Sequence, residues 1–152
     1  MKPIILAIML CESGFNPKAY NPAGPAAGIM QLTPIGVKEA SIQCGLPLKP
    51  NLYDPKVGIE YGTCLFNFYR SISKSDVEAV IMYHAGYKGR ALFRAGKSPG
   101  PLTSKYVIKV KHYAERFKDG KINIKFYCNK YPSLSNILCG STQKEVPKAQ
   151  PL

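Results

Sequence analysis

Residues 11–34 read CESGFNPKAYNPAGPAAGIMQLTP, and this stretch decides the fold because it closes the most apolar segment of the chain. The residues just before it, 3–10, carry no charge, and Glu12 follows almost at once. Glu12 comes four residues after Ile8 and seven after Ile5, so these side chains share one helix face. Burial would raise the pKa of such a carboxyl, which suits a proton donor near neutral pH. A surface glutamate where the helix emerges is the alternative.

Helix start signals recur along the chain and predict a mainly α protein of one domain. The predicted starts are Pro3, Thr33-Pro34, Asp54-Pro55, the capping box Ser75-Asp76-Val77-Glu78, Arg90, and Thr103 as the cap of the last long helix. The first helix should end near Gly14 and the second at Cys44, with Gly45 as its stop. The helix from the capping box should run toward Tyr83, and the one from Arg90 should be short.

The chain divides into a helical domain, residues 1–120, and a basic appendage, residues 121–152. Residues 16–27 hold three prolines and one glycine and are predicted to be loop. After Gly120, apolar residues alternate with polar ones over 122–126, which favours a short strand. We therefore expect a short, irregular and β-containing appendage whose last residues, 141–152, are frayed.

Positive charge is concentrated in the second part of the chain. Up to Tyr87 there are seven Lys/Arg against six acids, and from Lys88 onward fourteen against three. A basic stripe on the last long helix contains Lys105, Lys109, His112 and Arg116. The asymmetry suggests an anionic wall or membrane surface as a partner, with an ordinary solvated helix face as the alternative. No motif for specific nucleic-acid binding accompanies the charge.

The five cysteines have no spacing typical of a metal site. Cys11, Cys44 and Cys64 lie in apolar helical patterns and are interpreted as small buried thiols. Cys128 and Cys139 flank a polar loop and could pair in an oxidising compartment, a point the sequence leaves open. Two histidines without acidic neighbours do not make a metal site, so we expect no metal and no cofactor.

Two blocks of the opening stretch resemble the soluble lytic transglycosylases, relatives of goose-type lysozyme. Residues 12–17 fit the family pattern Glu-Ser-x-Phe-x-Pro, and residues 28–34 fit Gly-x-Met-Gln-Leu-x-Pro. Residues 82–86, MYHAG, are similar to the Ala-Tyr-Asn-Ala-Gly element, and Tyr106-Val107 to a Tyr-Val pair. The resemblance implies a lysozyme-like helical fold and cleavage of peptidoglycan glycan strands between N-acetylmuramic acid and N-acetylglucosamine.

The family's functional residues map onto this chain position by position. Glu12 matches the sole catalytic carboxylate, which acts as acid and then as base while the muramoyl C6 hydroxyl closes a 1,6-anhydro ring. The matched residues expected to bind or face substrate are Ser13, Asn21, Met30, Gln31, Tyr83, His84 and Tyr106. The Tyr83 hydroxyl is expected near Glu12, and Met30 and Gln31 are expected to line the sugar groove. Glu39, Asp54 or Glu60 could still approach Glu12 through folding, so a hydrolytic muramidase stays open.

Three features depart from the family pattern. His84 replaces an asparagine, Leu102 stands where many members have a glutamate, and the chain begins almost at the catalytic helix. His84 is interpreted as a hydrogen-bonded substitute for asparagine, with an acid-base role as the alternative. The first two departures keep open a non-catalytic basic module that binds cell wall or nucleic acid.

The resemblance also implies a setting for the protein. We expect a monomer that acts outside the cytoplasm, in the periplasm, secreted or on a virion. The compact chain without a clear signal peptide suits a phage lysis or virion enzyme, and a secretion-associated bacterial enzyme is the alternative.

Overall fold

The computed structural model describes residues 1–140, and the fold in this part of the chain is helical. The α-helices are α1 Pro3–Ser13, α2 Pro34–Cys44, α3 Pro55–Ser71, α4 Asp76–Arg94, α5 Pro101–Lys118, α6 Ile124–Lys130 and α7 Ser135–Leu138. A short antiparallel hairpin pairs β1 Tyr20–Asn21 with β2 Ala26–Ala27, and a 3-10 turn covers Pro132–Leu134. None of the helices in residues 1–140 has the length and apolar character that crossing a membrane requires.

Helix α1 is central, and its sequence explains why. It has no charged residue before its last turn, and Ile5, Ile8 and Met9 are almost fully buried. Its principal neighbour is α5, and α4 packs on α5 in turn. Gly14 adopts φ 60° and caps the C-terminus, because a left-handed residue there closes the last turn with little strain. This stop leaves Glu12 in the final turn of a buried helix.

The predicted starts of the next helices are confirmed. The Thr33 side chain accepts from the Gly36 N–H to open α2, and Gly45 at φ 66° closes it. The Asp54 side chain accepts from the Lys56 N–H to open α3. Ser75 opens α4 by accepting from the Glu78 N–H. Local capping chemistry therefore sets these boundaries.

One predicted boundary in the second half is displaced and another is wrong. Two helical segments were expected between Ser75 and Gly96, and α4 does contain two, joined at Gly86, whose φ of 65° and ψ of −160° suit glycine alone; the second begins after Gly86 and not at Arg90. Thr103 does not cap α5: the helix begins at Pro101 after Gly100, and Thr103 is buried inside its first turn. Proline at the first helical position starts the helix without a side-chain cap.

In its described part, residues 121–140, the appendage is helical where a strand was expected. The Asn123 side chain accepts from the Lys125 N–H and opens α6, so the short alternation over 122–126 was misleading. The Tyr127 ring packs on Phe15 with centroids 4.5 Å apart, and Cys128 and Leu134 are buried in the same core as α1. The division at residue 120 stays a prediction, and the expected fraying of residues 141–152 lies outside the described residues.

Two disulfides form among the described residues, Cys44–Cys64 and Cys128–Cys139. The first corrects the interpretation of Cys44 and Cys64 as buried thiols, because the end of α2 lies beside α3 with the two Cα atoms 6.5 Å apart. The second is the pairing that the sequence left open. Cys11 keeps its thiol and is partly buried.

Candidate active site

Glu12 lies in a partly buried position with a single strong partner. The Tyr106 hydroxyl donates to its Oε1 at 2.6 Å. Burial raises the pKa of Glu12 from 4.5 to about 7, and the hydrogen bond from Tyr106 offsets only part of that rise. Within residues 1–140, no Lys, Arg or His forms a salt bridge with this carboxylate. Because Glu12 keeps some access to solvent, it can exchange a proton with a bound molecule.

Tyr83 and Tyr106 both lie near Glu12, and Tyr106 is the one that donates a hydrogen bond to it. The Tyr83 hydroxyl donates to the Met30 carbonyl at 2.8 Å, whereas Tyr106 contacts Glu12 directly. Burial and then the charge of Glu12 raise the pKa of each phenol well above its usual value. Tyr83 is therefore close to Glu12 without bonding to it. Sequence reasoning missed the Tyr106 contact because 94 residues separate the pair, although Tyr106 lies on the predicted apolar face of its helix.

The loop after β2 is fixed by residues of the opening stretch. Gly28 has φ 81°, and a Cβ there would lie 2.2 Å from the Leu52 carbonyl oxygen, so only glycine fits. The Gln31 side-chain amide donates to the carbonyls of Ala19 and Gly28 at 3.1 and 3.0 Å. Ser13 donates from Oγ to the Ile29 carbonyl at 2.7 Å and joins the end of α1 to the loop. These polar side chains hold the backbone beside Glu12.

The position of Met30 differs from what the resemblance implied, whereas Asn21 is exposed. The Met30 side chain is fully buried, and a Cβ on Gly62 would lie 2.3 Å from its sulfur. The Met30 side chain therefore packs against α3, where its thioether fills the space that Gly62 leaves. It does not line an open groove. Asn21 is exposed in β1, and its Oδ1 accepts from the Ala23 N–H within the hairpin turn.

A groove of about 190 Å³ lies beside Tyr83, between the loop, α3 and α4. Gln31, Thr33, Tyr69 and His84 are among the residues that line it. The His84 ring stacks on Tyr106 with centroids 4.4 Å apart, and its Nδ1 lies 3.0 Å from Thr103 Oγ1. Glu12 lines neither this groove nor a larger cavity of about 440 Å³ at the start of α1, so the contacts of Glu12 and not a cavity volume identify the site.

The other acids considered from the sequence are engaged elsewhere. Glu39 accepts from the Tyr69 hydroxyl at 2.6 Å and from the Tyr87 hydroxyl. Asp54 caps α3, and Glu60 is exposed. Neither these acids nor any other carboxylate in residues 1–140 is among the causes of the Glu12 pKa shift. The site thus contains one carboxyl group with unusual proton affinity.

Neither a metal nor a thiolate is suggested by the side chains around Glu12. Residues 1–140 contain no group of three or more His, Cys, Asp or Glu placed to hold a metal ion. Burial and the neighbouring Glu12 raise the pKa of Cys11 to about 11, so this thiol stays protonated at neutral pH. Among the described side chains of the site, the Glu12 carboxyl is the group whose raised pKa permits proton exchange near neutral pH.

The fold and the position of Glu12 define a lysozyme-like helical domain, and comparisons with known proteins specify the family. The sequence matches the transglycosylase SLT domain over residues 1–99, and the chain belongs to this family. No curated protein sequence matches the chain significantly.

Two similar solved structures are soluble lytic transglycosylases. One is an inactive Glu-to-Gln mutant of Slt from Pseudomonas aeruginosa, with 26% identity and a TM-score of 0.66 over 86% of this chain. The other is the 70 kDa enzyme from Escherichia coli, with 26% identity and a TM-score of 0.66 over 78% of this chain. The alignment covers 22% of each of those proteins, so this chain corresponds to about a fifth of their length.

Proposed function

We propose that this chain cleaves peptidoglycan as a lytic transglycosylase, breaking the β-1,4 bond between N-acetylmuramic acid and N-acetylglucosamine. The observation that carries the proposal is the single, partly buried Glu12 carboxyl, with a pKa near 7 and no cationic partner among residues 1–140. A group with this pKa is protonated in part of the molecules at neutral pH and can serve as acid or base. The Glu-to-Gln substitution in the inactive Pseudomonas aeruginosa relative supports a glutamate-dependent reaction.

The reaction needs only one carboxyl group if the substrate supplies its own nucleophile. Protonated Glu12 gives its proton to the glycosidic oxygen as the bond from that oxygen to C1 of the muramoyl residue breaks. The resulting carboxylate then takes the proton of the muramoyl C6 hydroxyl, whose oxygen bonds to C1 and forms the 1,6-anhydro ring. Glu12 ends protonated as it began, and no water is consumed.

Intramolecular attack explains why no second catalytic acid is required. Ordinary glycosidases use two carboxyl groups because an external nucleophile or an activated water must be supplied. A well-aligned internal hydroxyl can lower the barrier by about 7–11 kcal/mol. Glu39 and Asp54 bond to other groups and Glu60 is exposed, which agrees with a reaction that needs one carboxyl group.

The supporting residues take distinct parts in this proposal. Tyr106 orients Glu12, while Ser13 and Gln31 hold the loop backbone beside it. Tyr83 and His84 line the groove that receives sugar, and Asn21 offers an exposed amide on the hairpin. Met30 supports the loop from below. The two disulfides favour action outside the cytoplasm, where such bonds persist.

Turnover of purified cell-wall sacculi by wild type and by Glu12→Gln tests the proposal. We expect Glu12→Gln to lose about a hundredfold to ten-thousandfold in rate. Glu60→Gln, an exposed change of the same kind on α3, should retain wild-type turnover. Equal rates for wild type and Glu12→Gln would refute the assignment of Glu12.

Mass analysis of the released sugars identifies the reaction class. Anhydro ends are one water lighter than hydrolytic ends. Hydrolytic ends would assign a muramidase on the same fold, and binding of sacculi without any product would favour a non-catalytic module.

A further inference from the structure

The groove beside Tyr83 is lined by a histidine, His84, that makes two contacts of different kinds. Thr103 Oγ1 lies 3.0 Å from Nδ1 of His84, and the Tyr106 ring stacks against the imidazole. Tyr106 in turn donates to Glu12, whereas His84 is exposed and lines the groove. His84 therefore contacts Tyr106, the residue that bonds to Glu12, and also lines the groove.

The Thr103 hydroxyl decides which ring nitrogen carries the proton. Thr103 is 5% exposed, and His84 Nδ1 is the only hydrogen-bond partner of its hydroxyl within the described residues. If Nδ1–H donated to Thr103, the hydroxyl hydrogen would be buried without an acceptor, which costs free energy. If Thr103 donates to Nδ1, both groups are satisfied and the ring proton lies on Nε2.

The same contacts favour a neutral ring. Partial burial lowers the pKa of His84, and a protonated ring would present a second N–H to the Thr103 hydroxyl. Nε2 has no hydrogen-bond partner in residues 1–140. A neutral N–H donor is therefore available on a residue that lines the groove beside Tyr83 and Gln31.

We propose that Thr103 locks His84 in the Nε2–H tautomer, so that His84 donates a hydrogen bond to an uncharged oxygen of the glycan. This inference rests on the proposed function for the identity of the ligand. The acceptor class is an N-acetyl carbonyl or a sugar hydroxyl, because these are the uncharged oxygens that a glycan strand presents and a neutral N–H can donate to either. The locked ring offers a donor and no acceptor to the groove, which restricts the orientation of the sugar that it can bind.

Nitrogen-15 NMR of the imidazole rings in the full chain tests the tautomer without any substrate. At pH 7.5 we expect the Nε2–H form to dominate for His84. Thr103→Val removes the hydroxyl while keeping the side-chain shape and should produce a mixture of tautomers. His112→Phe removes the other histidine of the chain and assigns the signals. A dominant Nδ1–H form in wild type would overturn the proposal.

Binding of a purified N-acetylglucosamine–N-acetylmuramic acid oligomer by calorimetry tests the substrate contact. The parent for this series is Glu12→Gln, which binds without turnover if the proposed function holds. His84→Phe keeps a flat ring against Tyr106 but has no donor, and we expect its Kd to rise about threefold to tenfold. His84→Asn, which restores an N–H donor, should lose less affinity, and His112→Phe should bind as the parent does.

The outcomes separate this inference from the proposed function. Equal affinity of the parent and His84→Phe, with both folded by circular dichroism, overturns the role of His84 and leaves Glu12 catalysis intact. Absence of glycan binding by the parent overturns the proposed function and the substrate contact together, while the NMR result still reports on the Thr103 lock.

Discussion

Glu12 at the end of α1 and Glu78 at the start of α4 are both partly or fully withdrawn from water, and their surroundings differ. Glu78 is 1% exposed, and its carboxylate accepts from the Lys74 N–H at 2.7 Å and from Arg94. Burial pushes the pKa of Glu78 upward, but these partners outweigh it and the net pKa is lowered. Glu12 has only a phenol, and its pKa is raised to about 7.

The comparison teaches that burial alone does not make a proton donor. Glu78 is the more buried of the two, yet its cation and backbone donor keep it ionised and structural. Glu12 is more accessible but has no salt-bridge partner within residues 1–140. The charged form of Glu12 is therefore stabilised less than the charged form of Glu78. The partners of a carboxylate therefore decide whether it stabilises the fold or stays available for chemistry.

The largest effect is expected from removing the cation of the structural glutamate. Arg94→Ala leaves Glu78 buried without its ion-pair partner and should lower the free energy of unfolding by about 3 kcal/mol. Denaturant unfolding at pH 7 measures this loss. Arg70→Ala is the matched control, because the Arg70–Asp76 pair is largely exposed and should contribute less than about 1 kcal/mol. Similar losses in both variants would contradict the inference that the buried Glu78–Arg94 pair contributes more than the exposed Arg70–Asp76 pair.

A smaller effect of opposite sign is expected at Glu12. Below pH 4.5 Glu12 is protonated in both the folded and the unfolded chain, and between about 4.5 and 7 the folded chain holds a proton that the unfolded chain has lost. Its contribution to stability therefore falls as the pH rises through this window. Glu12→Gln should match wild type at pH 4 and exceed it by about 2 kcal/mol at pH 8, measured by denaturant unfolding.

Glu78→Gln is the matched substitution for this pH experiment. The pKa of Glu78 is lowered, so its stabilisation is fully present above the unfolded pKa of 4.5 and is lost as the pH falls through the lower folded pKa. This variant should be less stable than wild type at pH 8 by about 1–3 kcal/mol, with a smaller deficit in acid. Stability changes of the same sign in Glu12→Gln and Glu78→Gln at pH 8 would remove the contrast between the two sites.

The smallest effect is expected from the phenol that contacts Glu12. Tyr106→Phe removes a hydrogen bond that lowers the Glu12 pKa, so the carboxyl should titrate at a higher pH in carbon-13 NMR. The loss of stability should be about 1 kcal/mol, as for one hydrogen bond. Tyr83→Phe is the control, since the Tyr83 hydroxyl donates to the Met30 carbonyl. An equal shift of the Glu12 titration in both variants would contradict a direct role for Tyr106.

The sequence was informative about helix ends and less so about contacts between distant segments. The caps at Thr33, Asp54 and Ser75 were predictable, because each acts on a backbone N–H two or three residues away. The α6 helix was not predicted, since the alternation over 122–126 also fits a strand, and the helix that follows Gly86 was expected to begin later, at Arg90. The Cys44–Cys64 bond was missed because it depends on how α2 packs against α3.

By itself, the sequence determined an apolar helix that ends in Glu12, the loop motif that follows and membership of a helical family. The tertiary structure alone decided that Tyr106, on α5, contacts Glu12, that His84 faces Thr103, and that Glu78 has a cation where Glu12 has none. The physical reason is the separation along the chain of the residues that interact. Caps and helix faces depend on neighbours a few residues away, whereas a pKa depends on exclusion of water and on charges that folding brings together.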